Sequence, residues 1–330
     1  MSDEELLDLR ICDLDLKIER TVIARRVNRL YEELDSRGIV HKPHVWLSSE
    51  WFSPDGVPGI AIPFYLTHPR LMKLEQRMLL GIEGAREREC MRLLRHEAGH
   101  AISTAYRLHY RKPWRDVFGS AAMPYPDSYR PKPNSRKFVL HLSRWYAQAH
   151  PAEDFAETFA VWLKPGSRWR KDYQGWPALR KLEFVDSLMR DLAGSTPPVR
   201  IRRPIEPLRE IKTTLREFYQ QKRRRYGDDW PDFYDRDLRR IFSDDPKYAG
   251  RETAALFLRR IRPEVREIVA GWTGEYAYTI DQVLRDMIDR CKELKLRLAH
   301  SRQDSRLHVM LMVSVQTVNY LHSADHWVTV

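Results

Sequence analysis

The chain has little of what holds together secreted, membrane-spanning or disulfide-stapled proteins. Three cysteines in 330 residues (Cys12, Cys90 and Cys291), far apart and odd in number, exclude a disulfide-stapled scaffold and a Cys-rich zinc ribbon. No window approaches 18 consecutive apolar residues, so no transmembrane helix is expected. The opening MSDEELLDLR is acidic, where a signal or transit peptide would be basic and then apolar. A soluble, cytoplasmic protein is the expectation. Helix-turn-helix, zinc-knuckle and RNP signatures are missing, as are internal repeats and low-complexity tracts.

What is present can build a core. Apolar residues make up 42% and charged residues 31% of the sequence, and the length suggests two domains. With 57 Lys/Arg against 46 Asp/Glu, the net charge is +11. The excess is uneven: Cys90 to Arg200 holds 19 Lys/Arg and 10 Asp/Glu, a net of +9. These cations are interleaved with Trp, Tyr and Pro. They read as a solvated basic face, or as one that steers acidic ligands or peptide carboxylates. Nucleic-acid binding, through runs such as KRRRYG, rests on charge alone and is not expected.

Hydrophobic periodicity predicts a helix over Leu16–Asp35. HVWLSSEWF and GIAIPFYL, joined by SPDGVPG, predict a β-hairpin or two neighbouring strands within residues 43–66. Pro63 suggests an edge position there, open to an extended peptide. Helices are expected over Pro69–Leu80 and Arg86–Leu108. Tyr110–Ser135 reads as a long loop, and loops of that length inside a domain are often functional. Phe138–Gln148 reads as helical. HPAEDFAETFAVWL reads as a further helix, with Pro151 in its first turn and acidic residues where the macrodipole favours them. GSTPPV (194–199) is the best linker candidate, dividing the chain into residues 1–196 and 197–330. Amphipathic helices follow, over roughly Ile205–Arg225, Pro231–Phe242, Arg251–Ala270 and Tyr278–His300. Leu307, Val309, Leu311, Val313 and Val315 alternate like a strand, with a buried helix as the alternative.

The segment richest in chemistry is His96-Glu97-Ala98-Gly99-His100. Four residues advance a helix by about 400°, so the two histidines share a face. Two imidazoles so placed can reach one tetrahedral Zn²⁺. Glu97 beside them can take a proton from water. Cys90, about 600° round the same helix from His96, is off that face and reads as core. The metzincin continuation would need Gly at 103 and His at 106; the chain has Ser103 and Tyr106. A third ligand must come from elsewhere. Glu153 and Glu157, i and i+4 in EDFAETFA, are the outstanding candidates. His141 and His150 flank that helix and suit either substrate contact or a surface or capping role. Arg144, Tyr125 and Tyr129 suit either a substrate carboxylate or ordinary packing.

HEAGH followed by EDFAETFA resembles the gluzincin superfamily of zinc metallopeptidases. It is also similar to a bacterial family known only as zinc-binding metallopeptidases. The likeness covers roughly residues 86–165. It implies one Zn²⁺ per chain held by His96, His100 and Glu153, with Glu97 as general base. Glu157 would support a ligand histidine from behind, fixing its tautomer. Lethal-factor-type members carry a tyrosine seven residues before the ligand glutamate, which falls on Tyr146. Tyr146 would then be a transition-state donor, or simply pack beside Trp145. The exopeptidase motif G-A-M-E-N of the aminopeptidase branch is missing, and no family accounts for residues 200–330.

The expected fold is therefore α+β: a predominantly helical zincin-like catalytic domain with a small β-layer, followed by a mostly helical C-terminal region. The expected activity is zinc-dependent hydrolysis of a peptide or protein, with acidic substrates favoured. The alternative is a zinc-binding regulatory protein without turnover. Oligomeric state and substrate identity are not legible.

Overall fold

The computed structural model describes all residues except 1, 127, 133–134, 227–233, 323–327 and 330. In chain order the helices are α1 (Asp3–Leu7), α2 (Val22–Ser36), α3 (Pro69–Leu79), α4 (Glu87–Ala105), α5 (Lys112–Phe118), α6 (Pro151–Leu163), α7 (Trp169–Asp172), α8 (Ala178–Leu192), α9 (Leu215–Tyr226), α10 (Tyr234–Ile241), α11 (Ala254–Thr273), α12 (Ala277–Glu293) and α13 (Arg302–His322). The strands are β1 (His44–Ser48), β2 (Gly59–Pro63), β3 (Ser128–Tyr129), β4 (Phe242–Ser243), β5 (Arg297–Leu298) and β6 (Val328–Thr329). The fold is mostly helical α+β. Among the described residues no helix is long and apolar enough to cross a membrane.

The chain forms two compact units. One comprises residues 1–76, 82–217 and 327–330; the other comprises 77–81 and 218–326. The first is built around α4 and α6, whose backbones approach closely at a glycine. A Cβ on Gly99 would lie 2.8 Å from the Ala156 Cα and 3.2 Å from its carbonyl oxygen. α2 packs along α4 through a bidentate ion pair, Arg95 donating from Nε and Nη2 to the two Glu33 oxygens at 2.7 Å each. Both side chains are buried. Such a pair is retained only when its hydrogen bonds are made. Behind α6, Lys181 of α8 reaches Asp154 at 2.5 Å.

The β-layer is not a hairpin. β1 and β2 run parallel, in register from His44 opposite Gly59 to Ser48 opposite Pro63. The turn chemistry of SPDGVPG serves a crossover instead, in which Phe52 bridges Ala61 on the far side of β2. With β1 on one side, that bridge on the other, and all five residues buried, β2 offers no edge to a peptide. The FYL of GIAIPFYL is the start of a 3-10 turn, Phe64–Thr67.

Residues 194–199 are pinned within the first unit. Gly194 N–H donates to the Gly38 carbonyl, Tyr106 Oη to the Ser195 carbonyl and Val199 N–H to the Ala105 carbonyl. The chain then pairs with the N-terminal segment, Ile11 N–H to Thr213 and Leu215 N–H to Leu9. Where a helix from Ile205 was expected, this stretch is irregular apart from a 3-10 turn at Leu208–Glu210, and α9 begins only at Leu215. Residues 16–21 likewise precede α2. The expected helix over 138–148 is a 3-10 turn confined to Ser143–Gln148. Part of the expected loop 110–135 is helical, as α5.

In the second unit α10 to α13 surround a core that includes Phe242, Phe257, Leu258, Val265, Ile280, Leu284 and Met287. The helix expected over Pro231–Phe242 is described from Tyr234 to Ile241 as α10; residues 231–233 lie outside the described ones. Asp281 is fully buried and answered by Arg266 at 3.0 Å and Arg285 at 2.9 Å. The strand expected over 307–315 is helix α13. Val309 and Val313 are buried, while Leu307, Leu311 and Val315 are more than half exposed. Residues four apart share a helix face, so two interleaved i, i+4 rows on opposite faces produced the strand-like alternation.

Candidate metal centre

α4 carries His96 and His100 on the face turned to α6, and the close crossing at Gly99 brings Glu153 of α6 against them. His96 Nε2 lies 3.0 Å from Glu153 Oε2, His100 Nε2 lies 3.2 Å from the same oxygen, and the two Nε2 atoms are 3.1 Å apart. The three donor atoms form a nearly equilateral triangle. Ligands about 2.0–2.1 Å from a tetrahedral Zn²⁺ would be about 3.3–3.4 Å apart. Two imidazoles and one carboxylate therefore fit such an ion, and among the described residues this trio is the group able to hold one.

The far side of His96 is also tied down. Its Nδ1 lies 2.8 Å from Glu157 Oε1, and Leu142 N–H donates to Glu157 Oε2 at 2.8 Å. A proton on Nδ1 aimed at Glu157 leaves the Nε2 lone pair free to bind a metal. Burial alone would lower the His96 pKa, but the hydrogen bonds to Glu153 and Glu157 raise it well above 6.5. Against the same burial, His100 and His96 hold Glu153 below the usual carboxylate range. Glu157 is lowered too, by His141 and His96. A cation in the triangle would take over the role of the His96 proton.

Glu97 follows His96 on α4 and is buried. Burial raises its pKa, with the two histidines opposing. Tyr146 tilts towards His96, ring centroids 5.7 Å apart, and packs against Tyr129. Its neighbour Trp145 has φ +54°, a left-handed conformation that costs a bulky residue of order 1–3 kcal/mol. The strained residue thus sits beside the site.

His150 is the N-cap of α6, its Nδ1 accepting from Ala152 N–H and its Nε2 donating to the Met123 carbonyl. His141 is buried rather than superficial. It donates to the Arg92 carbonyl, and burial pushes its pKa down to about 4. Cys90 is core, its thiol pushed up to about 11 by burial, which leaves it unreactive. Arg144's side chain lies outside the described residues. Tyr129 is buried, in β3. Tyr125 is not free for a substrate carboxylate in this structure: its hydroxyl donates to Glu153 Oε1 at 3.1 Å. Spacing carried no signal for that contact.

Residues 84–166 match the model of a family described as "Putative zinc-binding metallo-peptidase". The match spans about a quarter of the chain and contains the whole triangle, Glu97, Tyr146 and Glu157. Searches of curated proteins and of solved structures each found no match.

Proposed function

We propose that the chain is a gluzincin-like peptidase that hydrolyses peptide bonds with one Zn²⁺ held by His96, His100 and Glu153. The observation that carries this reading is the triangle of donor atoms at 3.0–3.2 Å, with a buried glutamate in the same helix turn. The bound ion would supply Lewis acidity and lower the pKa of a water towards about 7. Glu97 accepts a proton from the attacking water and delivers it to the leaving amine nitrogen. Its place one residue after His96 on the buried face suits a group that must both take and return a proton there. Glu157 fixes the His96 tautomer, and Tyr146 is the donor to the developing oxyanion. A metal-binding protein without turnover would have no use for Glu97.

Exposed cations, among them Arg107, Arg111, Lys112, Arg115, Arg130 and Lys132, come from the same part of the chain as the ligands. They support a preference for acidic residues or a free carboxylate. Cleavage of an unbiased peptide library tests both points. Glu97→Gln should retain zinc and lose cleavage; full activity in that variant refutes the mechanism. The preferred peptides should be acidic at low salt and less discriminated at high salt; a profile indifferent to charge removes that part.

A further inference from the structure

The carboxylate of Glu153 has two oxygens, and the structure gives them different partners. Oε2 faces both histidines, while Oε1 accepts from Tyr125. The Tyr125 ring is stacked on His150, centroids 3.9 Å apart at 24°. His150 is itself held at both nitrogens, by Ala152 N–H and by the Met123 carbonyl. With Nδ1 accepting from an amide and Nε2 donating to a carbonyl, the orientation of the ring is fixed. One edge of Tyr125 is open, the residue being 46% exposed, yet its hydroxyl points inward to the carboxylate. Two bonds two residues apart, at Met123 and Tyr125, thus tie the loop to the first turn of α6, the turn that carries Glu153.

We propose that Tyr125 is a positioning residue for the metal centre: by occupying Glu153 Oε1 it leaves only Oε2 for the ion, and together with Met123 it latches its loop to the N-terminus of α6. The proposal rests on the reading of His96, His100 and Glu153 as metal ligands. Its consequence is chemical. A carboxylate free to rotate can bind with both oxygens and fill a coordination position that the attacking water needs; one held at Oε1 cannot. His150 performs a second task beyond capping, since its ring is the platform that aims the phenol.

Tyr125→Phe keeps the stacked ring and removes the one donor. Zinc affinity of the full chain, measured by chelator competition, should fall about 10–100-fold. The visible spectrum of the Co²⁺-loaded variant should move towards the weaker absorption of a higher coordination number, a change that mere loosening of the loop would not give. His150→Asn retains a good N-cap but removes the platform, and should weaken zinc in the same direction. A wild-type chain that binds one zinc, with both variants within twofold of its affinity and an unchanged Co²⁺ spectrum, overturns the proposal and leaves the metal site standing. A wild-type chain that binds no zinc overturns both.

Discussion

Replacing Gly99 by alanine tests whether the metal centre depends on how closely α4 and α6 approach. The added Cβ would meet the Ala156 Cα at 2.8 Å and its carbonyl oxygen at 3.2 Å. Ordinary carbon contacts lie at about 3.5–4.0 Å, so the helices must separate by roughly 1 Å. Both obstructing atoms are backbone, and no side chain can rotate away to relieve them. Overpacking of this kind costs about 1–3 kcal/mol, or about 2–12 °C in melting temperature for a domain of this size. The chemical effect should be larger. His96 and His100 lie on one helix and Glu153 on the other, 3.0 and 3.2 Å away, and moving these donors apart by roughly 1 Å takes them beyond the edge of a tetrahedral zinc site. Zinc titration with a competing chelator, beside thermal unfolding of the metal-free protein, separates the two effects. A Gly99→Ala protein with wild-type zinc affinity and melting temperature would refute the reasoning.

Glu157→Gln should still bind zinc, about 10–100-fold more weakly, and keep measurable activity, because it acts on His96 through a hydrogen bond. Glu153→Gln should lose activity almost completely, since a neutral amide is a poor zinc ligand; the reverse ranking of the two variants would exchange their roles. His141 gives a pH prediction. Its folded pKa of about 4 lies below the ordinary 6.5, so the unfolded chain binds more protons between those values. The stability it contributes is present above about pH 6.5 and is lost as pH falls towards 4, roughly 3 kcal/mol in all. Urea unfolding of the chelated protein at pH 7 and at pH 4.5 measures the loss, which His141→Asn should reduce; equal pH dependence in the two proteins would contradict it.

The grouping of His96, His100 and Glu153, a trio that could hold a metal ion, was legible in part because its information is local. His96 and His100 are one helical turn apart, and Glu153 and Glu157 are one turn apart on a second helix, so each pair declares its face without knowledge of the fold. Tyr125 was not readable as a partner of Glu153, because a loop 28 residues upstream has no period to place it. Its environment depends on the His150 cap, itself only half anticipated. The β-layer shows the same division: strands were visible in HVWLS and GIAIP, but their parallel pairing depends on a crossover whose turn residues look like those of a hairpin. In α13, residues 307–315 fit two periods at once, and only the burial of Val309 and Val313 against the rest of that unit decides between them. GSTPPV has the composition of a linker, yet backbone hydrogen bonds to Gly38 and Ala105 hold it in place.

The central claim is tested most directly by measuring zinc content and peptide cleavage together in the purified wild-type chain and in Glu97→Gln. Both proteins should hold one zinc per chain, with chelator-sensitive cleavage in the wild type and none in the variant. Wild-type protein without zinc, or cleavage that survives either chelation or Glu97→Gln, would contradict it.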